Sequence, residues 1–183
     1  MKLLLAGGTG FIGKSIVDSY LNKKLTKFKI KKIYIISRHS NKISKKTYSR
    51  NIKFIKADIS KLNILPNIDV AIYLAESTSI KDYKKSTIIS KLHKNSIDNF
   101  CSLFKNNSKT KVLYCSSGSV YKPSKNKVNE KSQIIKKKLN KKNDYKNIYS
   151  SLKLYSEGKI KQLTKKGIKC SIARCFSFIG PNI

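Results

Sequence analysis

Apolar residues concentrate along the chain in short runs, at 2–6, 33–36, 52–55, 70–74, 112–115 and 168–175, separated by longer amphipathic stretches. Runs of this length predict strands buried on both faces. Between them, residues 11–25 place Ile12, Ile16, Val17, Tyr20 and Leu21 at helical spacing. Residues 86–105 do the same through an apolar stripe of Ile88, Ile89, Leu92, Phe100, Leu103 and Phe104, and 145–165 predict another long helix. Strands alternating with helices imply a parallel sheet covered on both faces, an α/β doubly wound (Rossmann) fold of about six strands. The 183 residues suffice for one such domain, 1–183. Only 122–144 breaks the rhythm: polar, rich in Lys and Asn and holding Pro123, it predicts a mobile surface loop.

The first run ends in Gly7-Gly8-Thr9-Gly10-Phe11-Ile12-Gly13. Gly8, Gly10 and Gly13 fit G-x-G-x-x-G, and Gly7, Gly10 and Gly13 also fit G-x-x-G-x-x-G. Such a turn needs backbone angles that a side chain opposes, and the chain must approach a pyrophosphate closely. The helix that follows turns its free N–H groups and positive dipole end toward the phosphates. A strand before and an amphipathic helix after supply the context this motif requires. Gly7, Thr9, Gly10, Phe11, Ile12 and Gly13 are therefore candidate cofactor contacts. The second strand ends Ser37-Arg38-His39, with no carboxylate for a ribose diol. An arginine there binds a 2′-phosphate, so NADP(H) is expected ahead of NAD(H). His39 reads as a surface residue.

Charge changes this picture little. The formal net charge is +32, but all except Arg38, Arg50 and Arg174 of the 41 basic residues are lysine, scattered over the whole length. That is a solvated surface and no specific nucleic-acid footprint, although polyanions should bind non-specifically at low salt. The four cysteines, Cys101, Cys115, Cys170 and Cys175, have neither metal-ligand nor disulfide-framework spacing and lie in apolar segments, so no metal is expected. A reducing cytoplasm is the expected compartment. No apolar stretch reaches the roughly 20 residues a membrane span needs. The apolar N-terminus is too short for a signal peptide and runs directly into the glycine loop.

Taken in order, these segments resemble the extended short-chain dehydrogenase/reductase family, whose members are nucleotide-sugar epimerases, dehydratases and reductases. Ala6 to Gly13 looks like its glycine motif. Ala57-Asp58-Ile59 resembles the adenine-contacting Asp after the third strand, and Tyr73-Leu74-Ala75 the segment lining the cofactor pocket. Lys94-Asn95-Ser96 resembles the helix that carries the Asn of the catalytic tetrad. Tyr114-Cys115-Ser116-Ser117-Gly118-Ser119-Val120-Tyr121 is similar to the strand-five motif, with Ser117 as catalytic serine. Tyr149-Ser150-Ser151-Leu152-Lys153, followed by Glu157, resembles the Y-x-x-x-K helix. Arg174-Cys175-Phe176 and Gly180-Pro181 look like the end of the sixth strand. The resemblance implies catalytic residues Ser117, Tyr149, Lys153 and Asn95. It implies cofactor contacts from Asp58, Ile59, Leu74, Ala75, Tyr149 and Lys153 besides the glycine loop and Arg38.

Lysine is so common that Tyr20/Lys24, Tyr121/Lys125, Tyr149/Lys153 and Tyr155/Lys159 all match Y-x-x-x-K. Only Tyr149 has the right order and distance from Ser117 and the trailing Glu157. A phenol ordinarily titrates near pH 10, and a lysine one helical turn away favours its charged form. Tyr149 is then expected to exchange a proton with a substrate hydroxyl while hydride moves to or from nicotinamide. Ser117 would hydrogen-bond the same oxygen, and Asn95 would support the site through water.

Departures qualify the likeness. Gly118-Ser119 stands where the family's dehydratases carry an acidic pair, which disfavours elimination of water. Leu152 replaces a small polar residue and Lys122 a glycine. The family continues past its sixth strand into a substrate-binding region, whereas this sequence stops at Ile183. A truncated form, a split enzyme completed by a partner, and a cofactor-binding remnant all stand as expectations, as does a homodimer formed through an exposed sheet edge. The expected function is NADP(H)-dependent hydride transfer on a nucleotide-activated sugar, with reductase and epimerase both open. The alternative is a non-catalytic NADP(H)-binding or sensing module.

Overall fold

β1 (Lys2–Ala6), β2 (Lys32–Ser37), β3 (Ile52–Lys56), β4 (Val70–Tyr73), β5 (Lys111–Ser117) and β6 (Cys170–Cys175) form one parallel sheet. Their order across it is β3-β2-β1-β4-β5-β6. This computed structural model describes residues 1–38, 50–77, 79–84, 86–104, 109–135 and 145–177. His39, Lys105, Gly180 and Pro181 lie outside them. The helices are α1 (Phe11–Leu21), α2 (Ile80–Lys84), α3 (Ser86–Ser102) and α4 (Tyr145–Lys165).

Alternation along each strand sends side chains to opposite faces. Leu3, Leu5, Ile33 and Ile35 pack with Val17 of α1 on one face. Leu4, Ala6, Ile36, Ala71 and Tyr114 pack on the other against Ile97 and Phe100 of α3 and Ile160 and Leu163 of α4. Both faces are thus covered at the centre of the sheet, which is why its inner strands read as largely apolar runs, while the edge strands β3 and β6 are interrupted by exposed polar residues. In-register pairing of Ala6 with Ile36 and with Tyr73 brings the carboxyl ends of the central strands to one edge. The chain turns from β1 toward β2 on one side and reaches β4 on the other, so a crevice opens between the loops after β1 and β4.

Two expectations about elements are corrected. The first helix ends at Leu21, and Leu21 is exposed. The stripe on α3 divides: Ile97, Phe100, Cys101 and Phe104 are buried, whereas Ile88 and Leu92 stay exposed and line a cavity. Where described, the expected loop is mostly exposed, and its ends meet: Tyr121 is bridged antiparallel to Ile134 and the Lys122 N–H donates to the Gln133 carbonyl at 2.9 Å. Residues 136–144 of the expected loop lie outside the described residues.

Candidate functional site

Gly7 leaves β1 with φ +82, a left-handed angle that favours glycine, and a Cβ there would sit 2.6 Å from the Ala75 backbone. This close approach joins the loops after β1 and β4. Gly13, in the first turn of α1, packs directly on the Gly8 backbone with no room for a Cβ. Thr9 is held by a 2.9 Å hydroxyl contact with Ser37 at the end of β2. Gly10 caps α1 without a side chain, and the first turn carries no acidic residue. A helix start of this kind suits an anionic pyrophosphate.

A cavity of about 500 Å³ opens over these loops. Gly7, Thr9, Gly10, Arg38, Asp58, Ile59, Leu74 and Ala75 all line it, so the structure brings these expected cofactor contacts together. Phe11, Ile12 and Gly13 are not among its lining residues. They form the first turn of α1, where Gly13 serves the packing of helix on loop. Arg38 is exposed at the β2 side of the cavity. Burial alone would raise the Asp58 carboxyl, but hydrogen bonds from Ser60 and the charge of Arg38 outweigh it and hold it below its ordinary range. Asp58 also caps the short turn Ile59–Lys61, accepting from the Ser60 N–H at 2.9 Å.

The other end of this cavity reaches Glu76, Ser77 and Asp82. Glu76 forms a buried ion pair with Lys153. It also accepts from the Tyr114 hydroxyl at 2.7 Å, and His93 Nε2 lies 3.5 Å away. His93 Nε2 meets Ser156 Oγ at 2.8 Å and the Leu152 carbonyl at 3.1 Å. Burial keeps the imidazole below its ordinary pKa against the pull of Glu76. Lys153 also donates to the Cys115 carbonyl at 2.8 Å. Burial would lower its pKa, but Glu76 and then Tyr149 outweigh that and keep the ammonium charged.

Of the four Tyr/Lys pairs, only Tyr149/Lys153 has a buried lysine; Lys24 and Lys125 are exposed, and Lys159 is half-buried beside Asp98. The Lys153 ammonium lies 5.5 Å from the centre of the Tyr149 ring. Tyr149 faces a second cavity of about 720 Å³, shared with Tyr83, Tyr121, Phe176, Lys122 and Lys146. Tyr83 on α2 stands edge-on to Tyr149 at 5.3 Å and donates to the Ser77 carbonyl at 2.7 Å. α2 therefore divides the two cavities. Ser117 ends β5 and caps the next turn, its Oγ accepting from the Ser119 N–H. Ser117 lines neither cavity, though Gly118 and Ser119 line the larger one.

Asn95 is exposed on α3 and lines neither cavity, so the structure does not bring it to the other expected residues. Two residues along a helix turn the side chain about 200°, and His93 faces the site instead. Asn99, further along, holds the loop after β3 through the carbonyls of Ile59 and Leu62 at 2.7 and 2.8 Å. Sequence reasoning missed Glu76, His93 and Asn99. Glu76 carried a signal: one of only nine acidic residues, it directly follows Tyr73-Leu74-Ala75. Among the described residues no group of three or more His, Cys, Asp or Glu side chains could hold a metal ion, and no helix is long and apolar enough to cross a membrane.

Comparison with known proteins matches residues 3–182 to the NAD dependent epimerase/dehydratase family. No curated protein matches the chain significantly. Among solved structures, UDP-N-acetylglucosamine 4-epimerase from Methanobrevibacter ruminantium is similar at 24% identity and a TM-score of 0.76, over 99% of this chain and 56% of that one. UDP-glucuronic acid 4-epimerase from Bacillus cereus, solved with NAD, gives 23% and 0.73 over 100% and 59%. dTDP-glucose 4,6-dehydratase from Streptomyces venezuelae, also with NAD, gives 16% and 0.81 over 100% and 57%. The chain thus spans little more than half the length of these proteins, and at such identities the likeness is one of fold. With the family matched over nearly every residue and the sheet order and glycine loop in agreement, the chain belongs to the NAD-dependent epimerase/dehydratase family.

Proposed function

We propose that the chain binds a nicotinamide dinucleotide, NADP(H) ahead of NAD(H), and serves hydride transfer on a nucleotide-activated sugar with Tyr149 as acid and base. The observation that carries this is the pairing of the two cavities. Lys153 is buried under the end of the glycine-loop cavity through Glu76, while Tyr149, one turn earlier on α4, opens on the neighbouring cavity.

Within this reading Gly7, Thr9 and Gly10 hold the pyrophosphate, with Arg38 and Asp58 on the adenosine side. Arg38 is the ground for the 2′-phosphate preference. When bound, the cofactor supplies the hydride acceptor and donor. Tyr149 takes a proton from a sugar hydroxyl and returns it, and Ser117 hydrogen-bonds the same oxygen. Lys153 lends positive charge to the phenol oxygen. The larger cavity suits the substrate class: its aromatic walls match apolar sugar faces, and Lys122 and Lys146 match a diphosphate. Gly118-Ser119 in place of an acidic pair favours epimerisation or reduction over elimination.

The test is turnover of UDP- and dTDP-hexoses by wild type and Tyr149→Phe. The reading expects loss of about 10²-fold or more in kcat, in the range for removing a general acid/base, with the dinucleotide still bound. Because Lys153 is engaged by Glu76 and Cys115, a non-catalytic dinucleotide-binding module is the second reading. It predicts binding without turnover in either form.

A further inference from the structure

We infer that Glu76 sets the redox preference of the cofactor site, favouring the oxidised, cationic nicotinamide over the reduced, neutral one. The inference rests on the reading above that the glycine-loop cavity holds a nicotinamide dinucleotide, and it adds a residue that the sequence motifs do not assign.

The cavity runs along the carboxyl edge from Arg38 and Asp58 beside β2 and β3, past the glycine loop, to Glu76 and Ser77 after β4. With the pyrophosphate at the glycine loop and adenosine on the Arg38 side, nicotinamide falls on the Glu76 side, next to Lys153. There the charges are countable. The Lys153 side chain is 8% exposed and that of Glu76 6%, and they are paired with each other. Tyr114 and His93 are buried titratable groups beside them, and burial favours the neutral form of both. Asp82, at the mouth of the same cavity, adds a second carboxylate held by the Ser77 hydroxyl.

A buried lysine without Glu76 would present an uncompensated positive charge to the nicotinamide ring. In a weakly screened site that charge repels the oxidised ring and leaves the reduced ring unaffected. Glu76 cancels it. Its carboxylate is fixed by the Tyr114 hydroxyl at 2.7 Å as well as by Lys153, so it stays in place when the ring changes charge. A site of this kind keeps the cofactor oxidised between turnovers, as a reaction that takes hydride from the sugar and gives it back requires.

The experiment is calorimetric titration of wild type, Glu76→Gln and Glu76→Asp with NADP⁺, NADPH, NAD⁺ and NADH. Gln keeps an acceptor for Tyr114 and removes the charge; Asp keeps the charge. For Glu76→Gln the dissociation constant of the oxidised forms should rise roughly tenfold, with the reduced forms changed by less than about twofold. Glu76→Asp should restore a ratio near that of wild type. An unmoved ratio in Glu76→Gln, or equal weakening of both forms, overturns the inference and leaves Glu76 a structural brace. If Glu76→Gln does not fold, Lys153→Met decides by the opposite sign: oxidised forms tighten relative to reduced ones, and no shift overturns the inference. Wild type that binds no dinucleotide in either state refutes the cofactor reading itself, an outcome distinct from binding with an unmoved ratio.

Discussion

Gly7 joins two requirements in one position: a φ of +82 and a backbone contact with Ala75 that leaves no room for a Cβ. Gly7→Ala should therefore cost about 2–4 kcal/mol, from left-handed strain together with overpacking. Denaturant unfolding of the two proteins measures it, and a difference below about 1 kcal/mol would show that the loops after β1 and β4 part easily. At this scale the sequence was legible wherever backbone geometry dictates residue type, as at the glycines. It was less legible for side-chain direction. Asn95 and His93 are neighbours in any motif comparison, yet their positions on α3 face opposite ways, and only burial distinguishes them. Glu76 stands in the glycine-loop cavity and pairs with the buried Lys153, 77 positions away in sequence, and no local pattern encodes that pairing.

Among elements, β5, α4 and β6 are tied by one buried network. Glu157 accepts from Ser116 at 2.7 Å and from Arg174 at 2.9 and 2.7 Å, and Arg174 lies over the Tyr121 ring. Burial alone would raise the Glu157 carboxyl, but the bonds from Arg174 and Ser116 hold it below its ordinary value of 4.5. A carboxyl with a lowered folded-state pKa adds stability above its unfolded value, and that stability drains away as pH falls through the folded one. Glu157→Gln should destabilise by about 3–5 kcal/mol at pH 7, the range for breaking a buried pair. The gap in Tm between the two proteins should then narrow as pH falls below about 4.5, where the unfolded carboxyl protonates. A gap constant from pH 7 to pH 3 would contradict the assignment. The inner strands were legible because both their faces are apolar. The α3 stripe was only half legible, since Ile88 and Leu92 face a cavity and apolar residues look alike whether they line a core or a groove.

Over the whole molecule, the formal charge of +32 is carried almost wholly by scattered lysines. Duplex DNA should bind at about 50 mM salt without sequence preference and be released by about 200 mM, as expected of counterion release alone. Retained, sequence-selective binding at the higher salt would point to a built nucleic-acid surface. The doubly wound parallel sheet followed from the alternation of runs, whereas the strand order came from the structure. The division of the carboxyl edge into two cavities by α2 did not follow from the sequence, because Ile80–Lys84 is too short to show a periodicity. That division separates the glycine loop and Glu76 from Tyr149 and the aromatic cavity, and it makes cofactor binding testable apart from catalysis. The most direct test is calorimetric titration of the folded chain with NADPH and NADH, wild type beside Arg38→Ala. The account predicts saturable binding of both, with NADPH tighter and weakened roughly ten- to a hundredfold by the substitution, as for losing a charged hydrogen bond, and NADH unchanged. Failure of the folded wild-type chain to bind either dinucleotide would contradict it.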